Sequence, residues 1–403
     1  MLSVDEARQL VLDRAQPLPA VATPLADAQG RVLAEPIVSD IDSPPHDKSI
    51  VDGYAVISAD IIASGIELTV LEEVTAGAVP RRAVEPGTAT RIMTGAPLPT
   101  GADAVVMVEQ THAAADHVRI LPSAVKAGQN IVRRATSLAQ GQSVLQLGKL
   151  LRAIEIGLLA EVGRSTVATI PRPRVAVLTT GNELVAPPVL PGPGQIRNSN
   201  GPMLSASVRS SDAEAADLGI ARDDPTDLRR AISAGLTHDV LVVSGGVSAG
   251  ILDLVPTILQ ELGVEQVFHK VNLKPGKPIW FGVRRGDSDR STLVFGLPGN
   301  PVSALVCFEL FVRPAIQKLR GLPPSGLRRI SGNLARDHQQ RGERPTYWPA
   351  ALSENAVTPL PWKGSGDLRT LADANCLAFF AAGDRLFRTG EQIEALLFAD
   401  SAY

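Results

Sequence analysis

The sequence predicts a multidomain α/β protein built around a central open, mostly parallel sheet. Between residues 174 and 319, short apolar runs that resemble strands alternate with amphipathic helical patterns. This alternation is typical of a parallel sheet covered by helices on both faces. Short β-rich runs between 53 and 147 and again near the C-terminus indicate β domains on either side of it. A length of 403 residues suits several domains.

The central region is bounded by Pro171-Arg172-Pro173 and by the linker Gly321–Gly326. Its predicted strands are Arg174–Leu178, Val240–Val243, Gln266–Lys270, Ile279–Phe281 and Thr292–Phe295. Its predicted helices are 202–210, 225–234, 254–262 and 302–319. We therefore expect one strand-and-helix domain within these bounds.

The two ends of the chain follow other patterns. Ser3 and Glu6 have capping-box spacing and predict a helix over 3–15, and a second helix is predicted over 148–164. The β-rich stretch between 53 and 147 predicts a small barrel or sandwich. Apolar runs around Tyr347, Leu377–Phe380 and Ile393–Phe398 predict a small C-terminal β domain.

Composition excludes several classes of partner and site. The net charge is −3 and no Lys/Arg run exceeds two residues, so nucleic acid and anionic membranes are poor candidates. Two cysteines, Cys307 and Cys376, lie in apolar patterns and are expected to be buried, and with six histidines they form no recognisable zinc site. No apolar stretch is long enough to span a bilayer. We expect a cytoplasmic protein.

Four glycine-containing loops follow predicted strands of the central domain. In an open parallel sheet such loops gather at the carboxyl ends of the strands, where ligands bind. Glycine lets backbone N–H groups approach an anion, and lysines add positive charge. The sequence therefore predicts an oxyanion or phosphate site. The candidate binding residues are Thr180, Gly181, Ser244, Gly245, Gly246, Ser248, Lys274, Lys277, Pro298 and Asn300.

Carboxylates accompany these loops at Glu183, Asp253 and the pair Asp223-Asp224. A carboxylate beside phosphates is favoured when a divalent cation lies between them, and oxygen ligands suit Mg²⁺. Glu183, Asp223 and Asp253 are thus candidate metal ligands. For Asp224 and Asp253 the alternative is helix N-capping.

The ordered motifs resemble the molybdopterin molybdenumtransferase family, which includes the C-terminal domain of gephyrin. The family's Pro-Pro-x-Asp-x-Ser-x-x-Asp-Gly-Tyr-Ala stretch matches Pro44–Ala55, and its Met-Thr-Gly-Ala turn matches Met93–Ala96. Its Thr-Thr-Gly-x-Glu-Leu, Arg-Asp-Asp-Pro, Ser-Gly-Gly-Val-Ser-x-Gly, Lys-Pro-Gly-Lys-Pro and Gly-Leu-Pro-Gly-Asn-Pro-Val-Ser elements follow in order between Thr179 and Ser303. Gly364-Ser365-Gly366 matches its C-terminal turn. The resemblance covers nearly the whole chain.

This resemblance implies four domains, a dimer and a reaction. The implied domains are a discontinuous elongated N-terminal domain (1–52 plus 140–172), a β-rich domain (53–139), an α/β domain of the molybdopterin-binding type (173–321) and a C-terminal β-barrel (327–403). Molybdate would be inserted into adenylylated molybdopterin with Mg²⁺-dependent release of AMP. The site would lie at the interface of a homodimer, and contact with the upstream adenylyltransferase is left open.

The resemblance also implies roles for individual residues. Asp253, Asp52 and Glu183 would hold the metal or orient the reacting oxygen. Phosphate or molybdate would be contacted by Lys274, Lys277, Ser248 and Ser365. Thr94 is a candidate binding residue only because its turn matches the family's Met-Thr-Gly-Ala turn. The pterin thiolates, rather than the protein, would bind molybdenum, which agrees with the scarcity of cysteine.

The chain departs from the family pattern mainly at acidic positions. Asn182 stands where the family usually has Asp, Ser137 lies where an acidic pair usually follows Arg133-Arg134, and Ile251 replaces a frequent Glu. Pro349 stands where an arginine often follows the aromatic pair. Two alternatives therefore stay open: an adenylyltransferase or pyrophosphatase on the same α/β scaffold, and a non-catalytic pterin-binding scaffold.

One substitution tests the role assigned to Asp253. Purified protein given adenylylated molybdopterin, molybdate and Mg²⁺ is expected to release AMP. Asp253→Asn should keep ligand binding but suppress AMP release, because the carboxylate would act on the reacting groups rather than on affinity. Unchanged product formation in this variant would exclude that role, whereas ligand binding without AMP release by the unmodified protein would favour the scaffold.

Overall fold

The computed structural model describes residues 1–247, 254–286 and 291–398, which form two compact units. The first unit comprises Met1–Thr23, Asp27–Ala34 and Ala168–Tyr403, and the second comprises Pro24–Ala26 and Glu35–Val167. Within the described part of the chain, no helix combines the length and apolar character needed to cross a bilayer.

The α-helices of the described residues are α1 (Val4–Arg14), α2 (Ala153–Glu161), α3 (Asn200–Ser210), α4 (Pro225–Gly235), α5 (Leu254–Glu261), α6 (Pro301–Cys307), α7 (Arg313–Leu319) and α8 (Leu368–Ala372). A π-helical turn, Phe308–Val312, joins α6 to α7, and 3₁₀ turns lie at Leu25–Asp27, Ser58–Asp60 and Val108–Gln110. Ser3 and Glu6 form the predicted capping box of α1.

The strands up to the end of the second unit are β1 (Val21–Pro24), β2 (Val32–Leu33), β3 (Ile37–Val38), β4 (Lys48–Ser49), β5 (Gly53–Val56), β6 (Ile66–Val74), β7 (Thr88–Ile92), β8 (Ala104–Met107), β9 (Thr111–Ala114), β10 (His117–Ile120), β11 (Ile131–Val132), β12 (Ser143–Leu145) and β13 (Thr166–Ile170). Those that follow are β14 (Arg174–Thr180), β15 (Leu184–Val185), β16 (Ile196–Arg197), β17 (Glu214–Ala221), β18 (Val240–Ser244), β19 (Val264–His269), β20 (Trp280–Arg285), β21 (Ser291–Leu297), β22 (Arg328–Leu334), β23 (His338–Gln340), β24 (Thr346–Ser353), β25 (Ala356–Pro359), β26 (Cys376–Phe380), β27 (Arg385–Phe387) and β28 (Gln392–Leu397).

The central sheet has the strand order β17-β14-β18-β21-β20-β19. The first four strands are parallel, β20 runs antiparallel to β21, and β19 runs antiparallel to β20. Strand β19 therefore points the same way as β14, β18 and β21, so the loops after all four leave the same edge. The prediction of an open, mostly parallel sheet is confirmed.

The two faces of this sheet are buried in separate cores. On β14, Val175 and Val177 face one cluster, which also contains α1, α3, α6 and α7 residues, while Ala176 and Leu178 face the other, with α4 and α5. Burial on both faces explains why β14 and β18 are continuous apolar runs.

Strand β17 was not predicted. It lies at the sheet edge, and its residues are mostly half-exposed, with Glu214 and Asp217 toward solvent. Charged residues on an edge strand discourage pairing with other chains, but they also break the apolar pattern by which strands are recognised.

The predicted helix 302–319 is interrupted by a π-helical turn. Pro314 has no N–H to donate, and the Arg313 N–H bonds the Phe308 carbonyl five residues earlier. Glu309 in this turn and Arg313 at the start of α7 form a buried bidentate ion pair (Nε–Oε2 2.5 Å, Nη2–Oε1 2.9 Å). Arg313 also donates to the Ser210 hydroxyl at 3.2 Å, which ties α7 to α3.

The C-terminal region closes into a five-stranded barrel with the order β22-β25-β24-β26-β28. Backbone hydrogen bonds join this barrel to the central domain. The Lys274 N–H donates to the Pro345 carbonyl (2.9 Å), and the Tyr347 N–H donates to the Lys274 carbonyl (2.8 Å). The Val302 N–H, at the start of α6, donates to the Ser365 carbonyl (3.0 Å).

The second unit contains a six-stranded sheet in the order β8-β5-β7-β6-β10-β9. Gly53 opens β5 between β7 and β8, and a Cβ at this position would lie 2.0 Å from the Val106 carbonyl oxygen. The glycine of the Asp-Gly-Tyr-Ala motif therefore has a packing reason: it lets two backbones approach closely.

Gly53→Ala should lower the free energy of unfolding of the protein by about 2 kcal/mol or more, because the clash is with a backbone atom in a sheet. Chemical denaturation checks this. Gly157→Ala is the matched control, since a Cβ at this helical position meets nothing within 4 Å and should leave stability equal or raise it by about 0.5–1 kcal/mol. Equal stabilities of the two variants would contradict the close approach at Gly53.

Candidate functional site

The carboxyl ends of β14, β18 and β21 open onto a cavity of 690 Å³. We call it the carboxylate lobe, because Glu183 and Asp223 line it. Nine of the residues predicted from the sequence lie in its wall: Thr180, Gly181, Glu183, Asp223, Ser244, Gly245, Gly246, Pro298 and Asn300.

The loop after β18 lies directly against the end of β14. Gly245 and Gly246 have φ angles of +98° and +64°, which L side chains rarely adopt. A Cβ on Gly245 would lie 2.5 Å from the Thr180 carbonyl oxygen, and one on Gly246 would lie 2.7 Å from Val255. These two glycines keep the wall of the carboxylate lobe thin and free of side chains.

Two buried asparagines connect the loops around this lobe. The Asn200 amide, at the start of α3, donates to the Ser244 hydroxyl (2.8 Å) and to the Gly299 carbonyl (2.7 Å). The Asn198 amide donates to the Thr179 hydroxyl (2.9 Å). Asn200 thus bridges the loops after β18 and β21, and its burial makes each of these hydrogen bonds costly to lose.

Asn182 and Asp223 hold the turns that carry the two carboxylates. The Asn182 N–H donates to Asp223 Oδ2 (3.1 Å), and the Asp223 N–H donates to Asn182 Oδ1 (3.2 Å). The asparagine side chain supplies the same acceptor oxygen that an aspartate would, so this departure from the family pattern keeps the reciprocal pair. Asp224 accepts hydrogen bonds from the N–H groups of Thr226 and Asp227 and caps α4, which confirms the helix-capping alternative for this residue.

The residues of this lobe fit a magnesium ion in donor chemistry. Mg²⁺ is usually held by one or two carboxylates together with substrate phosphates, and Glu183 and Asp223 supply two carboxylates. In residues 1–247, 254–286 and 291–398, no group of three or more His, Cys, Asp or Glu residues could by itself hold a metal. Asp253 and Ser248, predicted for this site, lie outside the described residues, as does Ile251.

A second cavity of 440 Å³ adjoins the first, and both are lined by Pro278, Pro298 and Asn300. We call it the cationic lobe. Its charged lining residues are Lys274, Lys277, Arg344 and Lys363, and no Asp or Glu lines it among the residues that the structure describes. Ser365 lies in the same wall.

The cations of this lobe come from two domains. Lys274 and Lys277 lie on the loop after β19, whereas Arg344 and Lys363 belong to the barrel region. Arg344 donates to the Leu273 carbonyl (3.1 Å), so it is fixed to the same loop.

Burial, with Arg336 and Lys274 nearby, lowers the pKa of His338 to about 4, so this imidazole is neutral at neutral pH.

Asp52 and Thr94 lie in the second unit and contact each other. Both the N–H and the hydroxyl of Thr94 donate to Asp52 Oδ1, each at 2.7 Å. These hydrogen bonds, the backbone one first, lower the pKa of the Asp52 carboxyl below its ordinary value. The turn at Met93–Ala96 therefore keeps Asp52 ionised. Ser137, at a departure from the family pattern, is exposed in the same unit.

Glycine loops, two carboxylates and five cations (Arg197 in the first cavity, four more in the second) around adjoining cavities at one edge of a parallel sheet are the features of an α/β protein that binds anionic ligands. Family models give the class a name. Residues 2–163 match the MoeA N-terminal region (domains I and II), 176–318 match a probable molybdopterin binding domain, and 331–398 match the MoeA C-terminal region (domain IV).

The chain belongs to the molybdopterin molybdenumtransferase (MoeA) family. It is 37% identical over 382 residues to the molybdopterin molybdenumtransferase of a Nostoc species, covering 92% of this chain and 86% of the relative. It is also 37% identical to molybdopterin molybdenumtransferase 2 of Mycobacterium tuberculosis, covering 94% and 95% of the two chains. The crystal structure of the molybdopterin biosynthesis MoeA protein of Pyrococcus horikosii superposes with a TM-score of 0.85 at 32% identity, over 98% of this chain and 99% of that one.

Several residues of the site were not predicted. Asn198 and Asn200 directly precede a predicted helix, and two amides at that point are the signal that could have identified them. Lys363 adjoins the Gly364-Ser365-Gly366 turn, which could have drawn attention to it. Arg344 carries no such local signal, because only the barrel's contact with the Lys274 loop brings it to the cavity.

The Asp52–Thr94 contact should make part of the protein's stability depend on pH. Because the folded-state pKa of Asp52 is lowered, the stability from this contact is present above the carboxyl's unfolded pKa and is lost as pH falls through the folded one. Thr94→Val removes the hydroxyl donor, so the pKa of Asp52 should rise toward its ordinary value. Thr94→Ser should leave it low. NMR titration of the Asp52 carboxyl distinguishes them, and an identical pKa in all three proteins would contradict the assigned cause.

Proposed function

We propose that this protein transfers molybdenum from molybdate to the dithiolate of adenylylated molybdopterin, with Mg²⁺-dependent release of AMP. The names of its relatives support the transferase activity. The observation that carries the finer proposal is the cationic lobe, which adjoins a lobe lined by carboxylates and glycine loops. Two such neighbouring environments suit a reaction between an oxyanion and a phosphorylated ligand.

Molybdate is assigned to the cationic lobe. It is a dianion, and Lys274, Lys277 and Arg344 offer it positive charge that no lining carboxylate neutralises among the described residues. Attraction of this kind is strengthened where a cavity excludes part of the solvent. The Ser365 hydroxyl offers a further donor at the same wall.

The phosphates of the nucleotide-activated pterin are assigned to the carboxylate lobe. Backbone N–H groups of the loops containing Gly181, Gly245 and Gly246 are suited to phosphate oxygens. Glu183 and Asp223, together with Asp253 predicted from the sequence, would hold Mg²⁺. When bound, the ion supplies charge neutralisation at the phosphoanhydride. Asn200 ties the end of β18, which precedes Gly245 and Gly246, to the Gly299 loop after β21.

The reaction balances without a covalent protein intermediate. The phosphoanhydride P–O bond breaks as an oxygen nucleophile bonds to phosphorus, and AMP leaves with that oxygen. The two pterin sulfur atoms bond to molybdenum as their S–H bonds break, and one oxide displaced from molybdate takes up these two protons and leaves as water. The lysines of the cationic lobe stabilise negative charge on the oxyanion throughout, and a fixed positive environment of this kind is an effective catalytic element.

The proposal extends to assembly and location. The family resemblance supports a homodimer in which the Asp52 and Thr94 turn of one protomer completes the cleft of the other. The low pKa of Asp52 suits a residue that orients an oxygen nucleophile while ionised. Two buried free cysteines agree with a reducing, cytoplasmic location. An adenylyltransferase is the proposed upstream supplier of the substrate.

Lys277→Met should lower kcat/KM for molybdate about 100-fold in an AMP-release assay, because it removes a charge-assisted contact to the reacting oxyanion. Lys126→Met, in the second unit and outside the lining of either lobe, is the control and should match the unmodified protein.

Two other outcomes separate the alternatives. Unchanged kinetics in Lys277→Met would contradict the assignment of molybdate to the cationic lobe. Tight binding of adenylylated molybdopterin without AMP release, whatever the molybdate concentration, would favour a pterin-binding scaffold over an enzyme.

A further inference from the structure

We propose that Lys363 is a specificity-determining residue of the cationic lobe and makes it select doubly charged over singly charged tetrahedral oxyanions. The inference rests on the proposed assignment of an oxyanion to this lobe and adds a residue and a selection rule to it. Lys363 lines the cavity beside Ser365, on the segment Trp362–Ser365 that joins β25 to α8.

The segment that carries Lys363 is held on both sides by its own contacts. On one side, the Trp362 ring packs edge-on against Trp348 (centroids 4.9 Å apart, interplanar angle 88°), and Trp348 Nε1 donates to the Leu360 carbonyl at 2.8 Å. On the other, the Lys363 N–H donates to Asp367 Oδ2 (3.0 Å). A lysine on a fixed backbone loses less freedom when it binds a ligand than one on a mobile loop.

The same segment is also fixed relative to the other cations. The Ser365 carbonyl accepts the Val302 N–H at 3.0 Å, which ties the segment to the start of α6 in the central domain. The loop of Lys274 is tied to β24 by its own backbone hydrogen bonds. The backbone separation between Lys363 and the lysine loop of the central domain is therefore fixed by these hydrogen bonds.

The charge of Lys363 is available to a ligand. Asp367 is the nearby carboxylate: its pKa is lowered first by the Thr370 hydroxyl, then by backbone N–H groups, and only last by the charge of Lys363. Within the described part of the chain, the hydrogen bond that Lys363 makes to Asp367 comes from its backbone N–H and not from its ammonium group. Asp367 is thus satisfied mainly by neutral donors, and Lys363 still contributes positive potential to the lobe.

A fourth cation affects ligands according to their charge. The Coulomb attraction between Lys363 and an anion is proportional to the charge of the anion, so its contribution for a dianion is twice that for a monoanion of the same size. Lys274, Lys277 and Arg344 already attract dianions and monoanions. Adding Lys363 therefore widens the difference in affinity between the two classes.

The test uses two isoelectronic tetrahedral oxyanions, tungstate (−2) and perrhenate (−1), titrated calorimetrically into the full-length protein. Lys363→Met should weaken tungstate binding about tenfold and perrhenate binding about threefold, since the second loss is half the first in free energy. Lys363→Arg should retain the preference for tungstate. Lys126→Met is the control for removing one surface charge, and thermal unfolding checks that each variant is folded.

The outcomes distinguish this inference from the function on which it rests. If the unmodified protein binds tungstate but Lys363→Met binds it equally well, or loses both anions by the same factor, the role of Lys363 is wrong and the lobe assignment stands. If the unmodified protein binds neither anion, or if Lys277→Met leaves tungstate affinity unchanged, the oxyanion assignment itself is overturned.

Discussion

The site depends on the backbone pairing of Lys274 with the barrel strand that contains Tyr347. Two hydrogen bonds, from the Lys274 N–H to Pro345 and from the Tyr347 N–H to Lys274, fix a loop of the central domain against a separate β domain. Because the pairing uses backbone atoms, it holds the loop of Lys277 against the segment of Arg344, and both residues line the same cavity. The pairing also opposes the mutual repulsion of the cations that the two domains contribute to this cavity.

The cleft also separates most of its positive charge from its two carboxylates. Glu183 and Asp223 line one lobe together with Arg197, whereas the other lobe has four cations and no carboxylate among the described residues. Pro278, Pro298 and Asn300 form the shared wall. Each lobe therefore has its own electrostatic character among the described residues. A bipartite ligand, with a metal-bridged phosphate at one end and an oxyanion partner at the other, is the chemistry that such a cleft suits.

The central sheet could be predicted because burial on both faces leaves a strong apolar signal in strands such as Val240–Ser244. The glycine loops could be predicted to gather because chain direction decides which sheet edge they share. Edge strand β17 was missed, since Glu214 and Asp217 disrupt the pattern that a buried strand would show. Arg344 and Lys363 were missed for another reason: they reach the cleft only through the packing of the barrel, and no local spacing encodes a contact between domains. Asp253 and Ser248 stay predictions from sequence.

Anomalous X-ray diffraction at the molybdenum edge, from crystals soaked in molybdate, tests the central claim most directly. The predicted result is one dominant peak in the cavity between the Lys274–Pro278 loop and the Trp362–Ser365 segment, within hydrogen-bonding reach of lysine and serine donors. Peaks confined to scattered surface lysines, or a single peak among the carboxylates with none beside Lys277, would contradict the assignment of the two lobes.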